Sequence, residues 1–459
     1  MLHPPHTTAR TALAVGLAAA AIGCGTVPPP TVARPAKANE WFIRAQEDFS
    51  SAKVEEAHDA IQKALSFPQD ATNPRDWDDV HTLAANIALA RLDFAESLRQ
   101  LLDVPGSEAE GLRGRAYWYE GSLGPAADSF DKMLDDPKVR DPWAKQIALL
   151  ARRGEGRTPF AISGGIVAAV EMAHVSPAAP YLVIPVEIDG AEGLAMVQTS
   201  TAEVVIDAPG KTDPSWVSMR FGHRLEVSDV PALAQDLSGV SKELGVPIKA
   251  LIGMSLIRHL NATVDYRGRQ FVARAYAPPP PPNATRVSLF YMRGGGMFLS
   301  TPLGTGEGSQ AALFVDSSMR FPLALDENGW QKAGLKVDEL KLVPGDPEKK
   351  MREGVVPSMK LGAFDVSHVP GVFGGVPIEE MEKGLNLKID GVIGSALLAA
   401  YRITFSDGGR MMWIEDDTLM HEIDDMEVSP FGPLDEADLP GAPILGAPTE
   451  GGSVPPANP

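Results

Sequence analysis

The sequence predicts a multidomain α + β protein, in which an N-terminal helical-repeat region precedes a duplicated, two-lobed all-β region. Between about residues 39 and 155, apolar residues recur at the three-to-four-residue spacing of amphipathic helices. After Pro159 the chain changes to short β-branched runs interrupted by Gly, Pro and Asp, which is typical of small strands. Parts of this β region also repeat each other at a nearly constant offset, which predicts two lobes of similar plan.

Composition and charge exclude several classes of function. The chain has 60 acidic and 41 basic residues and a formal net charge of −19, whereas a nucleic-acid groove needs a concentrated basic surface. One cysteine in 459 residues excludes an intrachain disulfide framework and a thiolate zinc site. The nine histidines include no pair at metal-ligand spacing. We therefore expect no nucleic-acid partner, no metal and no cofactor.

The first 23 residues are predicted to be a lipoprotein signal peptide. The apolar run at residues 11–23 is too short to span a membrane and fits a signal-peptide core. The end of this run and the next residue read Ala21-Ile22-Gly23-Cys24, which resembles a bacterial lipobox whose cysteine carries a diacylglyceryl group. The resemblance implies a mature protein that begins at Cys24 and is held to the cell envelope by this lipid only. By resemblance to enterobacterial lipoproteins, Gly25 in place of Asp after the cysteine favours the periplasmic face of the outer membrane. An ordinary secretory signal with an incidental cysteine is the alternative.

Seven helices, mostly in pairs, are predicted in the helical region. Their ranges are 39–50, 54–67, 77–91, 93–103, 108–121, 124–135 and about 142–153. The small residues Gly114 and Ala126, the large Phe130 and the terminating Pro137 resemble a tetratricopeptide repeat. The middle pair fits less well, because Phe94 stands where a small residue is expected. An irregular helical bundle is the alternative.

Segments of the β region recur about 140 residues later in the chain. Ser218-Met219-Arg220-Phe221-Gly222 matches Ser358-Met359-Lys360-Leu361-Gly362 at an offset of 140. Leu251-Ile252-Gly253 matches Val392-Ile393-Gly394, and Thr263 matches Thr404, both at an offset of 141. Matches at a nearly constant offset predict a duplication, and the five prolines at 278–282 would stiffen the connection between its copies.

These observations divide the chain into seven segments. They are the signal peptide at 1–23, a Pro-rich tether at 24–38, helical repeats at 39–155, β lobe 1 at 160–277, a Pro linker at 278–283, β lobe 2 at 284–417, and an acidic, then Pro- and Gly-rich tail predicted to be disordered at 418–459.

The two lobes resemble the aspartic protease superfamily, in particular bacterial retropepsin-like proteins. The family reads apolar strand, turn, then two hydrophobic residues and Asp-Thr-Gly, with a later Ile-Leu-Gly-like segment opening a short helix. Lobe 1 matches with Met196-Val197-Gln198-Thr199-Ser200 and Leu251-Ile252-Gly253, and lobe 2 with Phe314-Val315-Asp316-Ser317-Ser318 and Val392-Ile393-Gly394. The resemblance covers roughly residues 178–276 and 285–415. It implies two β lobes that face each other across a cleft for an extended peptide.

The resemblance also implies a degenerate catalytic site. The family needs two facing aspartates that share one proton, but only Asp316 is present, and Gln198 stands at the partner position. A glutamine amide does not exchange protons at neutral pH. Thr199 and Ser317 keep the hydroxyls that brace the two loops in the family. Ser200 and Ser318 replace its glycines, and Gly253 and Gly394 support the motifs. Without a charged neighbour, Asp316 is expected to ionise normally unless it is buried.

We therefore expect an envelope lipoprotein with a noncatalytic aspartic-protease-like domain, which binds peptides or acts as a scaffold. Extended peptides or protein partners would bind through the cleft and the helical repeats. One alternative is an active aspartic endopeptidase, in which Asp316 works with an unforeseen carboxylate or in a dimeric site. The other is a purely structural envelope protein. A second carboxylate near Asp316 would favour the endopeptidase.

Overall fold

The computed structural model describes residues 34–69, 74–175, 180–292, 295–304, 306, 308–344, 346, 350–385 and 387–416. The predicted signal peptide, Cys24, most of the tether and the predicted tail at 418–459 lie outside these residues. Within them, an N-terminal helical region is followed by a largely β region, as the sequence predicted.

Each predicted helix of the N-terminal region is present, with ends that differ from the prediction by a few residues. The helices of this region are α1 (Ala36–Ser50), α2 (Val54–Leu65), α3 (Asp78–Ala90), α4 (Phe94–Gln100), α5 (Ser107–Glu120), α6 (Leu123–Leu134) and α7 (Pro142–Arg153). The β region adds α8 (Ser238–Leu244), α9 (Met254–Ile257), α10 (Glu327–Lys332), α11 (Ile378–Leu385) and α12 (Ser395–Leu398). Short 3-10 helices lie at Pro74–Trp77, Val337–Glu339 and Asp407–Gly409.

Local chemistry explains where these helices begin and how closely they pack. The Asp93 carboxylate accepts from the backbone N–H of Glu96 and caps α4, and Asp141 caps α7 just before Pro142. Helices α5 and α6 cross at Gly114, where a Cβ would lie 2.7 Å from the ring of Phe130. A glycine at this position therefore allows the close packing that the sequence predicted.

The strands of lobe 1 are β1 (Ala161–Gly164), β2 (Val167–Glu171), β3 (Val183–Ile188), β4 (Ala191–Val197), β5 (Val204–Asp207), β6 (Ser215–Phe221), β7 (Leu225–Gln235), β8 (Ile248–Ile252), β9 (Thr263–Asp265) and β10 (Gln270–Arg274). Those of lobe 2 are β11 (Thr285–Ser288), β12 (Phe290–Tyr291), β13 (Met297–Pro302), β14 (Gln310–Asp316), β15 (Leu323–Leu325), β16 (Lys341–Leu342), β17 (Arg352–Leu361), β18 (Phe364–Phe373), β19 (Gly391–Gly394), β20 (Arg402–Ser406) and β21 (Met411–Glu415).

The strands form three sheets in the described part of the chain. The lobe 1 sheet has the order β1-β7-β5-β8-β4-β3-β6, and the lobe 2 sheet has the order β12-β13-β14-β19-β15-β18-β17-β16. The third sheet takes strands from both lobes in the order β11-β21-β20-β9-β10-β2. This shared sheet ties the lobes together.

Sequence-matched positions occupy corresponding places in these sheets. Strand β4 runs parallel to β8, with Val197 opposite Ile252, and β14 runs parallel to β19, with Val315 opposite Ile393. In the shared sheet, Thr263 of β9 lies opposite Thr404 of β20, and their hydroxyl groups are 2.8 Å apart. The central parallel pair of each lobe thus positions the loop that follows β4 or β14.

The helical region packs against one face of both lobes. Residues of α1–α3 share an apolar cluster with Phe298, Phe314 and Val392 of lobe 2. Residues of α5–α7 share another cluster with lobe 1, including Met196 and Leu251. Polar contacts join the same parts of the chain: the indole N–H of Trp216 in β6 donates to the carbonyl of Leu150 in α7 at 3.0 Å, and the Lys388 backbone N–H donates to the carbonyl of Ser50 at 2.9 Å.

Candidate functional site

Two loops, one from each lobe, meet through a reciprocal set of buried hydrogen bonds. The Thr199 hydroxyl donates to the carbonyl of Val315 at 2.8 Å and accepts from the backbone N–H of Ser317 at 2.9 Å. In return, the Ser317 hydroxyl donates to the carbonyl of Val197 at 2.8 Å and accepts from the backbone N–H of Thr199 at 3.2 Å. Each hydroxyl thus donates one hydrogen bond to the backbone of the opposite loop and accepts one from it. The structure therefore brings the two sequence-predicted motifs together.

Gln198 and Asp316 precede these hydroxyl residues and are both buried. Gln198 is 0% exposed and Asp316 is 5% exposed. Side chains alternate along a strand, and Asp316 is the last residue of β14, so Asp316 lies on the same side of the strand as Phe314. Phe314 packs in an apolar cluster with α1–α3. The strand face that carries Asp316 is therefore the one that meets the helices.

The Asp316 carboxylate is held by serines. Its Oδ1 accepts from the Ser318 backbone N–H at 2.8 Å and from the Ser318 hydroxyl at 2.5 Å. Burial raises the pKa of Asp316, and hydrogen bonds from Ser318 and Ser200 partly oppose this shift. The causes of the shift within the described residues include no second carboxylate. Normal ionisation was expected only for an exposed Asp316; the side chain is buried, and burial weakens its acidity.

Two glycines let the loops approach the following segments. A Cβ on Gly253 would overlap the backbone carbonyl oxygens of Ala202 and Glu203, and one on Gly394 would overlap the carbonyl oxygen of Phe321. These glycines stand directly before α9 and α12, where the sequence predicted an Ile-Leu-Gly-like segment that opens a short helix. Any side chain here would push the loop away from its brace.

A glycine segment of lobe 2 lies against the lobe 1 loop. A Cβ on Gly295 would overlap the side chain of Ala202, and one on Gly296 would lie 2.7 Å from the carbonyl oxygen of Ser200. The Met297 backbone N–H donates to the Thr199 carbonyl at 3.4 Å. The glycine run at 294–296 thus includes two positions of close approach beside the site, a role that the sequence did not reveal.

The helices also lie close to the segment that follows the lobe 1 loop. The C-terminal half of α3 and the end of α5 border a cavity of about 20 Å³, whose opposite wall includes Ala202 and Gly295. A space of this size holds about one water molecule. The guanidinium of Arg258, which follows α9, crosses the boundary and donates to the carbonyl of Tyr119 in α5 at 2.7 Å. An extended peptide on this face would have to displace the helices.

Sequence reasoning missed a buried carboxylate at this boundary. Glu203 follows the Gln198–Thr199–Ser200 motif closely and is 5% exposed. Burial raises its pKa to about 7, and the nearby Trp143, Arg115 and Trp118 only partly offset the effect. The available signal was an acidic residue directly before the apolar strand Val204-Val205-Ile206.

No protein-family model matches the chain, and no curated protein matches its sequence. Among the solved structures that match is a retropepsin-like aspartic protease from Rickettsia conorii, with 14% sequence identity and a TM-score of 0.21. That match covers 28% of this chain and 87% of the protease. The similarity is distant and partial. In the described residues, no helix is long and apolar enough to cross a bilayer, and no group of three or more acidic, His or Cys side chains could hold a metal ion.

Proposed function

We propose that the chain is an envelope lipoprotein whose aspartic-protease-like β region is noncatalytic and acts as a scaffold. One observation carries the proposal. The two loops are joined by reciprocal hydrogen bonds, and the lobe 1 loop has the amide Gln198 at the position where the lobe 2 loop has Asp316. Acid–base hydrolysis needs one group that takes a proton and another that gives one. The glutamine amide does neither, and the serines around Asp316 hold its carboxylate in place.

We further propose that the two lobes arose by duplication and that the helices are tetratricopeptide-like. The equivalent parallel pairs β4–β8 and β14–β19, and the meeting of Thr263 with Thr404, support the duplication. The close crossing at Gly114 supports the repeat assignment.

The scaffold role is preferred over peptide binding in the cleft because the helical region covers that face. The central strand pairs that lead to the two loops pack against the protein's own helices through Met196 and Leu251 in lobe 1 and Phe314 and Val392 in lobe 2. In this proposal the helices and lobes hold each other, and partners bind to their outer surfaces.

A proteolysis assay tests the noncatalytic assignment. We expect no cleavage of unfolded protein substrates between about pH 3 and pH 8, since losing one half of an acid–base pair costs about 10²–10⁴-fold in rate. Asp316→Ala should then change nothing. The triple variant Gln198→Asp, Ser200→Gly, Ser318→Gly is the matched attempt to restore a dyad. Wild-type proteolysis that disappears in Asp316→Ala would instead establish the endopeptidase.

The anchor is tested separately. We expect the mature protein to begin at Cys24, to carry an acyl mass increment and to fractionate with membranes, whereas Cys24→Ala should lose the increment. Intact mass measurement and fractionation of both forms provide the readout. A wild-type protein that is soluble and has no acyl group would refute the lipoprotein proposal and leave the noncatalytic assignment untouched.

A further inference from the structure

The boundary between the helices and lobe 1 contains a buried carboxylate among aromatic and cationic side chains. Glu203 lies beside a second small cavity, whose walls include Trp118 and Tyr119 of α5 and Pro231 of β7. Arg258 also borders this cavity and is 9% exposed. Its guanidinium lies 5.4 Å from the ring of Phe94 and 5.6 Å from that of Tyr119. Both the acid and the arginine are therefore removed from water where the helical region meets the lobe.

Two arginines and a tyrosine interact electrostatically with Glu203, in addition to Trp143 and Trp118. The charge of Arg115 in α5 lowers the pKa of Glu203, while its guanidinium lies 4.0 Å from the Trp143 ring and 3.3 Å from the Asp141 carboxylate. Arg258 and Tyr119 are close enough to Glu203 for its charge to shift their own pKa values.

The neighbours of Arg258 complete the set of titratable groups. Tyr291 acts on Arg258 from β12, and its hydroxyl donates to the carbonyl of Gly409. His259, next in the chain, stacks on Phe160, and burial lowers its pKa to about 4. The imidazole is therefore neutral above about pH 5 and does not titrate near neutrality.

We propose that this boundary is a pH-sensitive latch, in which protonated Glu203 holds the helical region on the lobes and loss of its proton loosens α5–α7. The geometry supplies the reason. Among the described contacts, Glu203 forms no ion pair, and its buried Oε1 has no hydrogen-bond partner, while Arg258 donates to the Tyr119 backbone carbonyl. A carboxylate here would be desolvated without a direct counterion, whereas opening would return it to water.

The sign and size of the effect follow from linkage. The closed state has a Glu203 pKa of about 7, and an exposed glutamate has a pKa of about 4.3 to 4.5. The closed state thus binds the proton more tightly. The stability of the closed state relative to the open state therefore decreases as pH rises from about 4.5 to about 7. The opening equilibrium constant should increase about 30-fold between pH 5.5 and pH 8.

Opening would uncover the part of lobe 1 that packs against α5–α7. The side chains of α5–α7 cover Met196, Val205 and Leu251 of lobe 1. The latch would therefore control the exposure of this part of lobe 1, and this role does not depend on whether Asp316 is catalytic.

Hydrogen exchange of the full-length protein tests the latch. Amides of α5–α7, corrected for the intrinsic pH dependence of exchange, should lose about 30-fold of their protection between pH 5.5 and pH 8. Glu203→Gln imitates the protonated acid, so its corrected protection should stay nearly constant. The exposed Glu192→Gln in β4 is the matched control and should keep the wild-type pH dependence.

Two results would overturn the proposal. One is a wild-type protein whose corrected protection in α5–α7 does not change over this pH range, a measurement that needs no variant to fold. The other is a pH dependence that survives unchanged in Glu203→Gln. Fluorescence of Trp118 and Trp143 across the same pH range gives a second readout, which should shift in wild type and remain constant in Glu203→Gln.

Discussion

Replacing Thr199 with valine should separate the two lobes' loops while preserving the shape of the side chain. The substitution removes the hydroxyl that donates to the Val315 carbonyl at 2.8 Å and accepts from the Ser317 N–H at 2.9 Å. Thr199 is 3% exposed, so water cannot readily take over either bond. Each buried backbone group left without a partner costs about 1–3 kcal/mol. We therefore expect Thr199→Val to lower the free energy of unfolding by about 2–6 kcal/mol.

Urea denaturation followed by tryptophan fluorescence measures this loss. Thr199→Ser is the matched control, because it keeps the hydroxyl and removes only a methyl group, at a cost of about 1 kcal/mol. Ser317→Ala should also destabilise, since the Ser317 hydroxyl serves Val197 and the Thr199 N–H. The double variant should show a coupling of about 0.5–3 kcal/mol, as expected for neighbours in one network. If Thr199→Val costs no more than Thr199→Ser, the brace does not stabilise the fold and the reasoning fails.

Two other perturbations give defined results. Gly295→Ala should lower the free energy of unfolding by about 1–3 kcal/mol more than the control Gly210→Ala. Both glycines have positive φ, but only a Cβ on Gly295 would overlap Ala202. Equal losses in urea denaturation would refute the close approach. In Asp316→Asn, stability should fall less as pH rises above about 4 than in wild type, because burial raises the Asp316 pKa and the native protein therefore holds this proton more tightly than the unfolded chain. Identical stability profiles of wild type and Asp316→Asn against pH would contradict the burial of this carboxylate.

The elements that the sequence predicted are those fixed by local pattern. Helices α1–α7 follow apolar periodicity, and their ends follow capping residues such as Asp93 and Asp141. The Thr199 and Ser317 positions could be identified because each follows an apolar strand at a fixed spacing within a short motif. Their mutual hydrogen bonds were implied only by family resemblance, since a contact across more than 100 residues leaves no periodic signal.

The covering of the Asp316 face was not predicted, although the strands contain a sign of it. Leu194-Ala195-Met196-Val197 and Ala311-Ala312-Leu313-Phe314-Val315 are continuous apolar runs without an alternating polar residue. Such runs are typical of strands that are buried on both faces. They indicated that something covers the second face, but they did not identify the helical region as the cover. Asp316 ends the second of these strands and is itself buried, which raises its pKa.

The apolar packing between the helical region and the two lobes also constrains how the protein can bind partners. The helices use α1–α3 against lobe 2 and α5–α7 against lobe 1, so one continuous helical region spans both lobes. A ligand that needs Met196 or Phe314 must compete with apolar packing that already belongs to the fold, and each fully buried side chain of this kind contributes about 1.5–3 kcal/mol. A partner bound to the outer surfaces meets no such competition. Partners should therefore bind to the outer surfaces unless the helices are released, and a change at Glu203 is the local event best placed to release them.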